Sequence, residues 1–516
     1  SRVRNAGERC GLRRLPTHYD HHHHHDQPAD HHQSLDEHDH QHLESFDDHP
    51  RRRLQQRRMT VIAARRRSAE LTLIVMAGLI TGVAYTLASL GANAVIPARI
   101  GPFLGLVLIL VVAAHIAVRL LARGADPTIL PLAVLLHGLG FVMISRLDTQ
   151  LAAQQSLWSL VAVGAFVGTL LVVQRPLDLA RYRWTLFVAG AVLLLLPLAP
   201  GIGRNINGAR IWVGLGPLGF QPGEFAKLAL AIFFAAYLAE RRELIAASTW
   251  RIGRLRLPDP AYLAPIVVAW GFAVIVMVGQ RDLGSSLMFF TLFVVMMWIA
   301  TERVAYVATG LVLFTGAAAA SWRLFGHVRP RVDIWLAPWA DEYGKGWQIV
   351  QSLYGSGDGG ITGTGLGRGS PDNIPYAESD FIFAAIGEEL GLVGATGVLI
   401  AFLLLIGAGL RTALRTERPF EKLLAAGLTT ILGIQAFIII GGVIKVVPLT
   451  GITLPFMSYG GSSLLSNYIL LALLIRLSDT GARRLGELPD EPTPGERWQA
   501  WRLRRAGATD VAGPIT

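Results

Sequence analysis

Long runs of apolar residues recur along this chain between short polar segments. Each run holds about 20 residues, enough for a helix to cross the ~30 Å hydrocarbon core of a bilayer at ~1.5 Å per residue. The pattern predicts twelve membrane-spanning helices, at about residues 71–91, 101–121, 128–145, 156–174, 184–200, 222–239, 261–279, 283–300, 304–322, 381–410, 421–447 and 460–477. The predicted fold class is therefore an all-α polytopic membrane protein, with one long hydrophilic loop at about 323–380.

Composition supports this class and excludes others. The 516 residues are 52% hydrophobic and only 16% charged, with a mean hydropathy of +0.43. An ordinary soluble enzyme carries about 25% charged residues, and disordered chains are poor in apolar ones. The net charge of +10 would suggest nucleic acid in a soluble protein. Here the arginines lie in short loops between apolar spans, where they orient the protein among membrane lipids, so no nucleic-acid partner is expected.

The two ends of the chain differ from the apolar region. Residues 1–58 hold 12 of the 15 histidines, mixed with acids, and show no periodicity that could pack. Such a tract can chelate metal ions, but we expect a disordered, non-functional tail or a start assigned too far upstream, because Met59 is the first methionine. The membrane domain is predicted over 59–485, and the proline-containing stretch 486–516 is predicted to be a cytoplasmic tail.

The distribution of Lys and Arg predicts the orientation. The loops on the side of residue 65 hold 21 of them, and the short loops opposite hold five. Positive charge concentrates on the cytoplasmic side, so both termini are predicted to be cytoplasmic and the long loop 323–380 to lie outside the plasma membrane. No ATP is available there, and the Gly344-Lys345 pair lacks the remaining residues of a Walker loop.

The first polar cluster lies between the fifth and sixth spans and contains Asn207-Gly208-Ala209-Arg210 and Gln221-Pro222-Gly223-Glu224. Pro222 predicts a helix start, which places Glu224 and Lys227 one turn apart on one helix face. Ionisable groups inside a membrane helix are costly and usually functional. Arg210, Lys227 and the helix N-terminus would suit a diphosphate. The alternative is that Glu224 and Lys227 only neutralise each other as a structural pair.

The second cluster is the short turn Gln280-Arg281-Asp282. The simplest role of Asp282 there is to cap the next helix, because Asp is a good N-cap residue.

The third cluster is the long loop, which carries Arg331, Asp341 and Lys345 among tryptophans. An amphipathic stretch that includes Gln351 and Ser352 follows, and then a run with eight glycines between Gly355 and Gly369, which is expected to be flexible. A carboxylate desolvated among aromatic residues gains basicity and could take a proton from a sugar hydroxyl. These residues alone do not select Asp341 over Glu342, Asp333 or Asp358.

Two more clusters flank the last spans. Asp380 precedes the tenth span, in which Glu388 and Glu389 stand side by side in an apolar helix and need partners or water. Adjacent helical residues point in different directions, so the two glutamates are not a paired acid and base. The Pro- and Gly-rich segment 448–463, which contains Ser458, must be non-helical and therefore must line a cavity or pack within protein.

In order and spacing, these clusters resemble those of the SEDS family of cell-wall polymerases (shape, elongation, division and sporulation), over about residues 160–477. The matching strings are NGAR, QPGE, DLG, the Pro338-Trp339-Ala340-Asp341 loop, DFIF with EELG, and PLTGITLPFMSYGGSS. The resemblance implies that the chain polymerises lipid II into glycan strands at the outer face of the cytoplasmic membrane. It also implies a partner, a class B penicillin-binding protein, which is the transpeptidase that crosslinks the strands. It places the family's essential loop aspartate on Asp341.

The resemblance also implies a site. Asp341 would deprotonate the attacking sugar hydroxyl, while Arg210, Lys227, Arg331 and Lys345 would stabilise the leaving diphosphate. The residues predicted to bind the substrate are Arg210, Glu224, Lys227, Arg331, Lys345, Gln351, Ser352, Asp380, Glu388 and Ser458. A divalent cation could assist, although no ligand cluster in the spans demands one and no metal ligand is predicted.

Several positions depart from the family pattern, and the chain has twelve apparent spans where the family usually has ten. The departing residues are Gly223, Arg281, Tyr376, Glu378, Ile439, Lys445 and Thr453. They favour an actinobacterial RodA-like branch and leave open whether the chain serves elongation or division.

Two other functions share this topology. A transporter that flips a lipid-linked precursor would also have twelve spans and buried charges, but it needs no fixed carboxylate in the outer loop. A scaffold that only holds the transpeptidase would not depend on Asp341.

Overall fold

The computed structural model describes residues 68–487, apart from residues 93, 95–99, 207, 216–217, 247–249, 253–254, 258–259 and 327. All of them belong to one compact unit, Arg58–Thr516. The tail predicted at 1–58 and nearly all of the stretch 486–516 lie outside the described residues.

Fourteen helices are found in the described part of the chain. They are α1 (Ser68–Ala92), α2 (Ile100–Leu121), α3 (Ile129–Leu147), α4 (Thr149–Val172), α5 (Arg183–Leu195), α6 (Gly223–Ala246), α7 (Pro260–Gly279), α8 (Leu283–Thr301), α9 (Val304–Leu324), α10 (Arg329–Leu336), α11 (Trp347–Gly359), α12 (Ile382–Arg415), α13 (Pro419–Val443) and α14 (Gly461–Arg484). Each of the twelve predicted spans coincides with one of these helices, and α10 and α11 lie within the long loop.

The predicted class of all-α polytopic membrane protein is confirmed. Nine helical segments in the described ranges are long and apolar enough to cross a membrane. The apolar parts of α2 and α7 are shorter, at Gly105–Leu121 and Leu263–Gly279. Helix α6 has the required length but carries Glu224 and Lys227 at its start and four charged residues near its end.

Helices α13 and α14 form the centre of the bundle. Both are buried over most of their length, whereas α9 at the periphery is almost entirely exposed. Helix α14 packs along α4, and α13 packs against α12, α6 and α8. The exposed surface of α9 is apolar, including Leu311 and Val312, as expected for a helix that faces lipid.

Two small antiparallel sheets were not predicted from the sequence. Strands β1 (Gly203–Ile206), β2 (Ala209–Leu215) and β3 (Leu218–Phe220) lie in that order between α5 and α6, and β4 (Trp250–Ile252) pairs with β5 (Leu255–Leu257). Ile206 faces Ala209 across the first hairpin, and Gly208 in its turn has a φ of 81°. The Asn207-Gly208 dipeptide is the sequence signal for such a turn, because both central positions favour positive φ.

The long loop folds back onto the bundle. Helix α11 buries Ile349, Ser352 and Gly355, and the glycine-rich segment that follows packs against the start of α12. A Cβ on Gly359 would clash with the Gly387 carbonyl, and one on Gly363 would clash with that of Glu389. The glycine run was expected to be flexible, but the structure shows that several of its members are needed for close backbone contact.

Candidate functional site

A cavity of about 840 Å³ lies between the β1–β3 sheet, the long loop and the segment 448–463, which leads into α14. Its wall mixes apolar and aromatic side chains with charged ones. The charged residues that line it are Glu224, Arg281, Asp282, Arg331, Lys345, Glu378 and Asp380. A cavity of this size with a few convergent polar groups is the usual form of a small-molecule binding site.

Glu224 reaches the cavity wall and is held there from below by Lys227. Their side chains lie one turn apart on α6, with Lys227 Nζ 2.6 Å from Glu224 Oε2. Lys227 is fully buried and also donates to Gln435 Oε1 at 3.1 Å. It is not a cavity-lining residue, so the ammonium group compensates Glu224 and does not face the cavity itself.

The residues that complete this buried network come from distant helices. Ser466 Oγ donates to Glu224 Oε2 at 2.8 Å, and Gln435 Nε2 donates to the Thr453 carbonyl at 2.8 Å. Thr453 Oγ1 in turn donates to Ser463 Oγ at 2.7 Å. Sequence reasoning did not single out Gln435, although a glutamine inside the apolar span α13 is a signal that could have found it.

Arg331 sits between two carboxylates on the opposite wall. It donates from Nη1 to the Thr450 carbonyl at 2.9 Å and, more weakly, to that of Leu449. Burial lowers the pKa of Arg331, while the charges of Asp282 and Asp380 act in the opposite direction. The guanidinium group therefore ties α10 to the segment 448–463.

The carboxyl group of Asp380 is strongly perturbed by burial in the cavity wall. Burial raises its pKa to about 7; the Arg331 charge opposes this shift and the Glu378 charge adds to it. Near neutral pH the group therefore exchanges a proton readily. Asp282, as predicted, caps α8 by accepting from the Ser285 backbone N–H at 2.9 Å, and burial raises its pKa as well.

Asp341 lies at the end of a 3₁₀ turn, Pro338–Asp341, and is exposed. Its Oδ2 accepts from the Lys345 backbone N–H at 3.1 Å, and a Cβ on Gly344 would clash with its carboxylate. Asp341 itself does not line the cavity, but the Lys345 side chain does. The loop thus holds the Asp341 carboxylate directly beside a lining residue.

Ser458 shapes the segment behind the cavity. Its hydroxyl donates to the Ser379 carbonyl at 2.6 Å and accepts from the Leu454 backbone N–H at 2.9 Å. It is buried and does not line the cavity. The predicted non-helical course is observed for residues 448–460, whereas residues 461–463 form the start of α14. The segment lines the cavity, as its composition required.

Besides Lys227 and Ser458, four predicted substrate-binding residues do not line the cavity. Arg210 is exposed on β2, and only its neighbours Ala209 and Ile211 line the wall. Gln351 is half-buried on α11, and Ser352 is fully buried with its hydroxyl bonded to the Ile349 carbonyl. Glu388 is turned to the glycine-rich segment. Residue type and spacing did not reveal that this part of the loop packs away from the cavity.

A second polar centre, which sequence reasoning missed, holds the glycine-rich segment in place. Arg146 at the end of α3 lies 3.2 Å from Glu389 and 3.5 Å from Asp372. Glu389 also accepts from the Gly367 backbone N–H, and Glu388 accepts from that of Ser370. Helix α12 breaks just beyond, at Gly391, where φ is 66°. The two glutamates thus find the partners that their burial requires.

A metal site is not evident in this cavity. Within the described part of the chain, no group of three or more His, Cys, Asp or Glu side chains is arranged to hold a metal ion. No chemical step is therefore assigned to a divalent cation.

Comparison with known proteins supplies the family context. The sequence model for the FtsW, RodA and SpoVE family, described as "Cell cycle protein", matches residues 126–482. The chain is similar to "Peptidoglycan glycosyltransferase RodA" of Mycobacterium tuberculosis (45% identity over 440 residues, 83% of this chain and 94% of the relative). It is also similar to "Stage V sporulation protein E" of Bacillus subtilis (37% over 293 residues, 55% and 76%).

A solved structure gives the same result for the fold. It comes from work on the coordination of polymerization and crosslinking by a peptidoglycan synthase complex, and matches with a TM-score of 0.59 and 30% identity, covering 69% of this chain and 98% of that chain. Helices α1 and α2 precede residue 126, where the family match begins.

Proposed function

Because the chain belongs to the FtsW, RodA and SpoVE family of cell cycle proteins, we propose that its large cavity is where lipid-linked sugars are joined into glycan strands. The chain is a multi-pass membrane protein and a peptidoglycan glycosyltransferase that serves cell-wall synthesis, for cell shape or division. The names of its relatives favour this enzymatic function over a transporter or a scaffold. The proposal adds the substrate, lipid II, and the residues that act on it.

The observation that carries the proposal is the mixed lining of the cavity. A lipid-linked sugar diphosphate presents an anionic group, hydroxyl-rich rings and an apolar tail. Lys345 and the other lining cations suit the diphosphate, and Trp158 and Trp212 offer flat apolar surfaces to the sugar rings or the tail. The carboxylates can accept and donate protons.

The reaction that these groups support is a displacement at a sugar carbon. A hydroxyl oxygen of the acceptor attacks the anomeric carbon of the donor, and the bond from that carbon to the diphosphate oxygen breaks. The electron pair leaves with the lipid diphosphate, whose charge the cations stabilise. The hydroxyl proton passes to a carboxylate, for which we propose Asp341. Asp341 lies beside Lys345, so base and cation belong to one short turn.

The buried pair has a supporting role in this scheme. Lys227 holds Glu224 in the wall and keeps its negative charge compensated. Arg331 joins the loop to the segment 448–463, so that both sides of the cavity keep their spacing. Ser458 fixes the same segment through its bond to the Ser379 carbonyl. We therefore propose that these residues preorganise the site, as an active site requires.

The direct test uses the purified full chain in lipid nanodiscs with labelled lipid II. We expect glycan strands longer than the disaccharide to form, with release of the lipid diphosphate. A matched preparation that carries Asp341→Asn controls for contaminating polymerases. Absence of polymer from the wild-type chain, both alone and with its transpeptidase, would contradict the proposal.

We further propose a class B penicillin-binding protein as partner, with the cavity on the outer side of the plasma membrane. The similarity to a chain from a synthase complex that coordinates polymerization and crosslinking supports this partner. The arginine-rich loops support the orientation. Co-purification of the full chain with its transpeptidase from native membranes tests the partnership, and recovery of the chain free of any transpeptidase would argue against it.

A further inference from the structure

Arg281 occupies a strained position at the rim of the cavity. It lies in the turn between α7 and α8 with a φ of 63°, in the left-handed region that favours glycine. Its backbone N–H donates to the Val278 carbonyl at 3.0 Å, so the turn itself is well defined. A bulky residue in this conformation costs free energy, and such strain concentrates at functional sites.

The turn aims the Arg281 side chain at the space below the β1–β2 hairpin. The residue lines the cavity, and a Cβ on Gly208 would lie 3.9 Å from its Nη1. The guanidinium group is therefore close to the hairpin turn, and it is exposed to the cavity opening.

The other charged groups of the cavity largely compensate one another, which leaves Arg281 and Lys345 as its available cations. Glu224 is paired with Lys227, and Arg331 is bound to backbone carbonyls between Asp282 and Asp380. Among the residues that the structure describes, neither the Arg281 guanidinium nor Lys345 Nζ has a carboxylate within 4.0 Å. Glu378 is the acid that remains, and its charge acts on Asp380 and Tyr459.

We propose that Arg281, together with Lys345, forms the subsite that binds the diphosphate of the lipid-linked substrate. Arg281 takes the role that the sequence assigned to Arg210 and Lys227, which do not line the cavity. An arginine presents a planar fork of donors that matches two phosphate oxygens at once, while Lys345 adds a point charge from the loop that carries Asp341. This inference rests on the proposed polymerase function and adds a binding residue to it.

The strain at Arg281 provides a test in which folding and binding move in opposite directions. Arg281→Gly removes the guanidinium group and relieves the positive φ, so the thermal unfolding midpoint should equal or exceed that of the wild type. The KM for lipid II should nevertheless rise by about ten-fold or more, as expected for the loss of a hydrogen bond to a charged group. Arg281→Lys keeps the positive charge but not the planar fork of donors, so its KM for lipid II should lie between those of the wild type and Arg281→Gly.

Inorganic pyrophosphate is the probe that separates the diphosphate from the sugar and the lipid. It should inhibit the wild-type full chain competitively with lipid II, and it should inhibit Arg281→Gly at least several-fold more weakly. Arg368→Gln is the matched control, because Arg368 is an exposed arginine of the outer loop that does not line the cavity. That variant should keep the wild-type KM and the wild-type inhibition.

The outcomes distinguish this inference from the function on which it rests. If the wild type does not polymerise lipid II, the proposed function fails. If the wild type polymerises, but Arg281→Gly keeps both its KM and its inhibition by pyrophosphate, Arg281 is not part of the subsite. The proposal would also be overturned if Arg281→Gly lowered the unfolding midpoint and Arg368→Gln changed the KM by the same factor. The effect on KM would then come from altered structure or from net charge.

Discussion

Lys227 and Glu224 form a buried ion pair beneath the cavity, with 2.6 Å between the ammonium nitrogen and the nearer carboxylate oxygen. Both residues are buried, and Gln435 and Ser466 supply further hydrogen bonds. Two charges removed from water in this way depend on each other, because either one alone would remain uncompensated.

The pair predicts an asymmetric response to mutation. Lys227→Met should lower the free energy of unfolding by about 3–5 kcal/mol, because it leaves Glu224 charged and buried without its partner. The double variant Lys227→Met with Glu224→Gln should recover much of that loss, because neither charge remains. Unfolding of the purified protein in detergent measures both values. Equal destabilisation by the single and the double variant would mean that the pair contributes through packing and not through charge.

The orientation predicts which sites an impermeant thiol reagent can reach from outside. In a Cys10→Ser background, a cysteine in place of Asp358 on α11 should react in intact cells, because the long loop is proposed to lie outside. A cysteine in place of Glu417, between α12 and α13, should react only after the membrane is opened. Both positions are exposed, so exposure does not distinguish them. The reverse labelling would contradict the charge distribution and place the cavity on the cytoplasmic side.

The spans were predictable because a membrane helix has one dominant requirement, a run of apolar residues of sufficient length. The pairing of Glu224 with Lys227 was predictable for a similar reason, because residues three apart share a helix face. Both inferences use only local sequence, and the structure confirms the geometry of both.

The rest of the site depends on contacts between distant segments. Gln435 bonds Lys227 across 208 positions, and Arg146 meets the glycine-rich loop more than 200 positions away. No local pattern reports such pairs. Arg210 is exposed on β2, and its position depends on the pairing of β2 with β1 and β3, which the sequence did not predict. Sequence reasoning therefore selected Arg210 and did not single out Arg281 as a cavity-lining cation.

The pKa of Asp380 predicts how stability depends on pH. Burial raises this pKa to about 7 in the folded chain, above its ordinary value of 3.8. The folded state therefore favours the protonated carboxyl, and the stability that it contributes is present below about pH 4 and lost as the pH rises toward 7. Asp380→Asn cannot ionise, so its unfolding midpoint should match that of the wild type near pH 4 and exceed it increasingly as the pH rises to 8.

The same ionisation predicts a change in substrate affinity. Arg331 and Glu378 are the residues whose charges act on Asp380, and Gly451 lies against its carboxylate. A negative charge on Asp380 makes the cavity less favourable for a diphosphate, so the KM for lipid II should rise between pH 6 and pH 8. Asp380→Asn should remove this rise. A wild-type KM that stays constant over this range would show that Asp380 does not titrate there.

Asp341 is the residue whose replacement tests the chemical step most directly. Asp341→Asn keeps the size of the side chain and an oxygen that can accept from the Lys345 N–H, but it cannot take a proton at neutral pH. Polymerisation should fall by about 10²–10⁴-fold, the usual contribution of a positioned general base. Folding should persist, because Asp341 is exposed and surface substitutions usually change stability by less than about 0.5 kcal/mol.

The matched control for Asp341 is its neighbour. Glu342→Gln removes one negative charge from the same turn, so it separates the loss of a base from a general change in loop charge. Its polymerisation of labelled lipid II should stay within a few-fold of the wild type, and both variants should still bind the transpeptidase, since neither substitution removes a packed side chain. Near-normal polymer formation by Asp341→Asn would exclude Asp341 as the base. The role would then fall to the cavity carboxylate Asp380, and the Asp380→Asn variant would have to lose polymerisation activity.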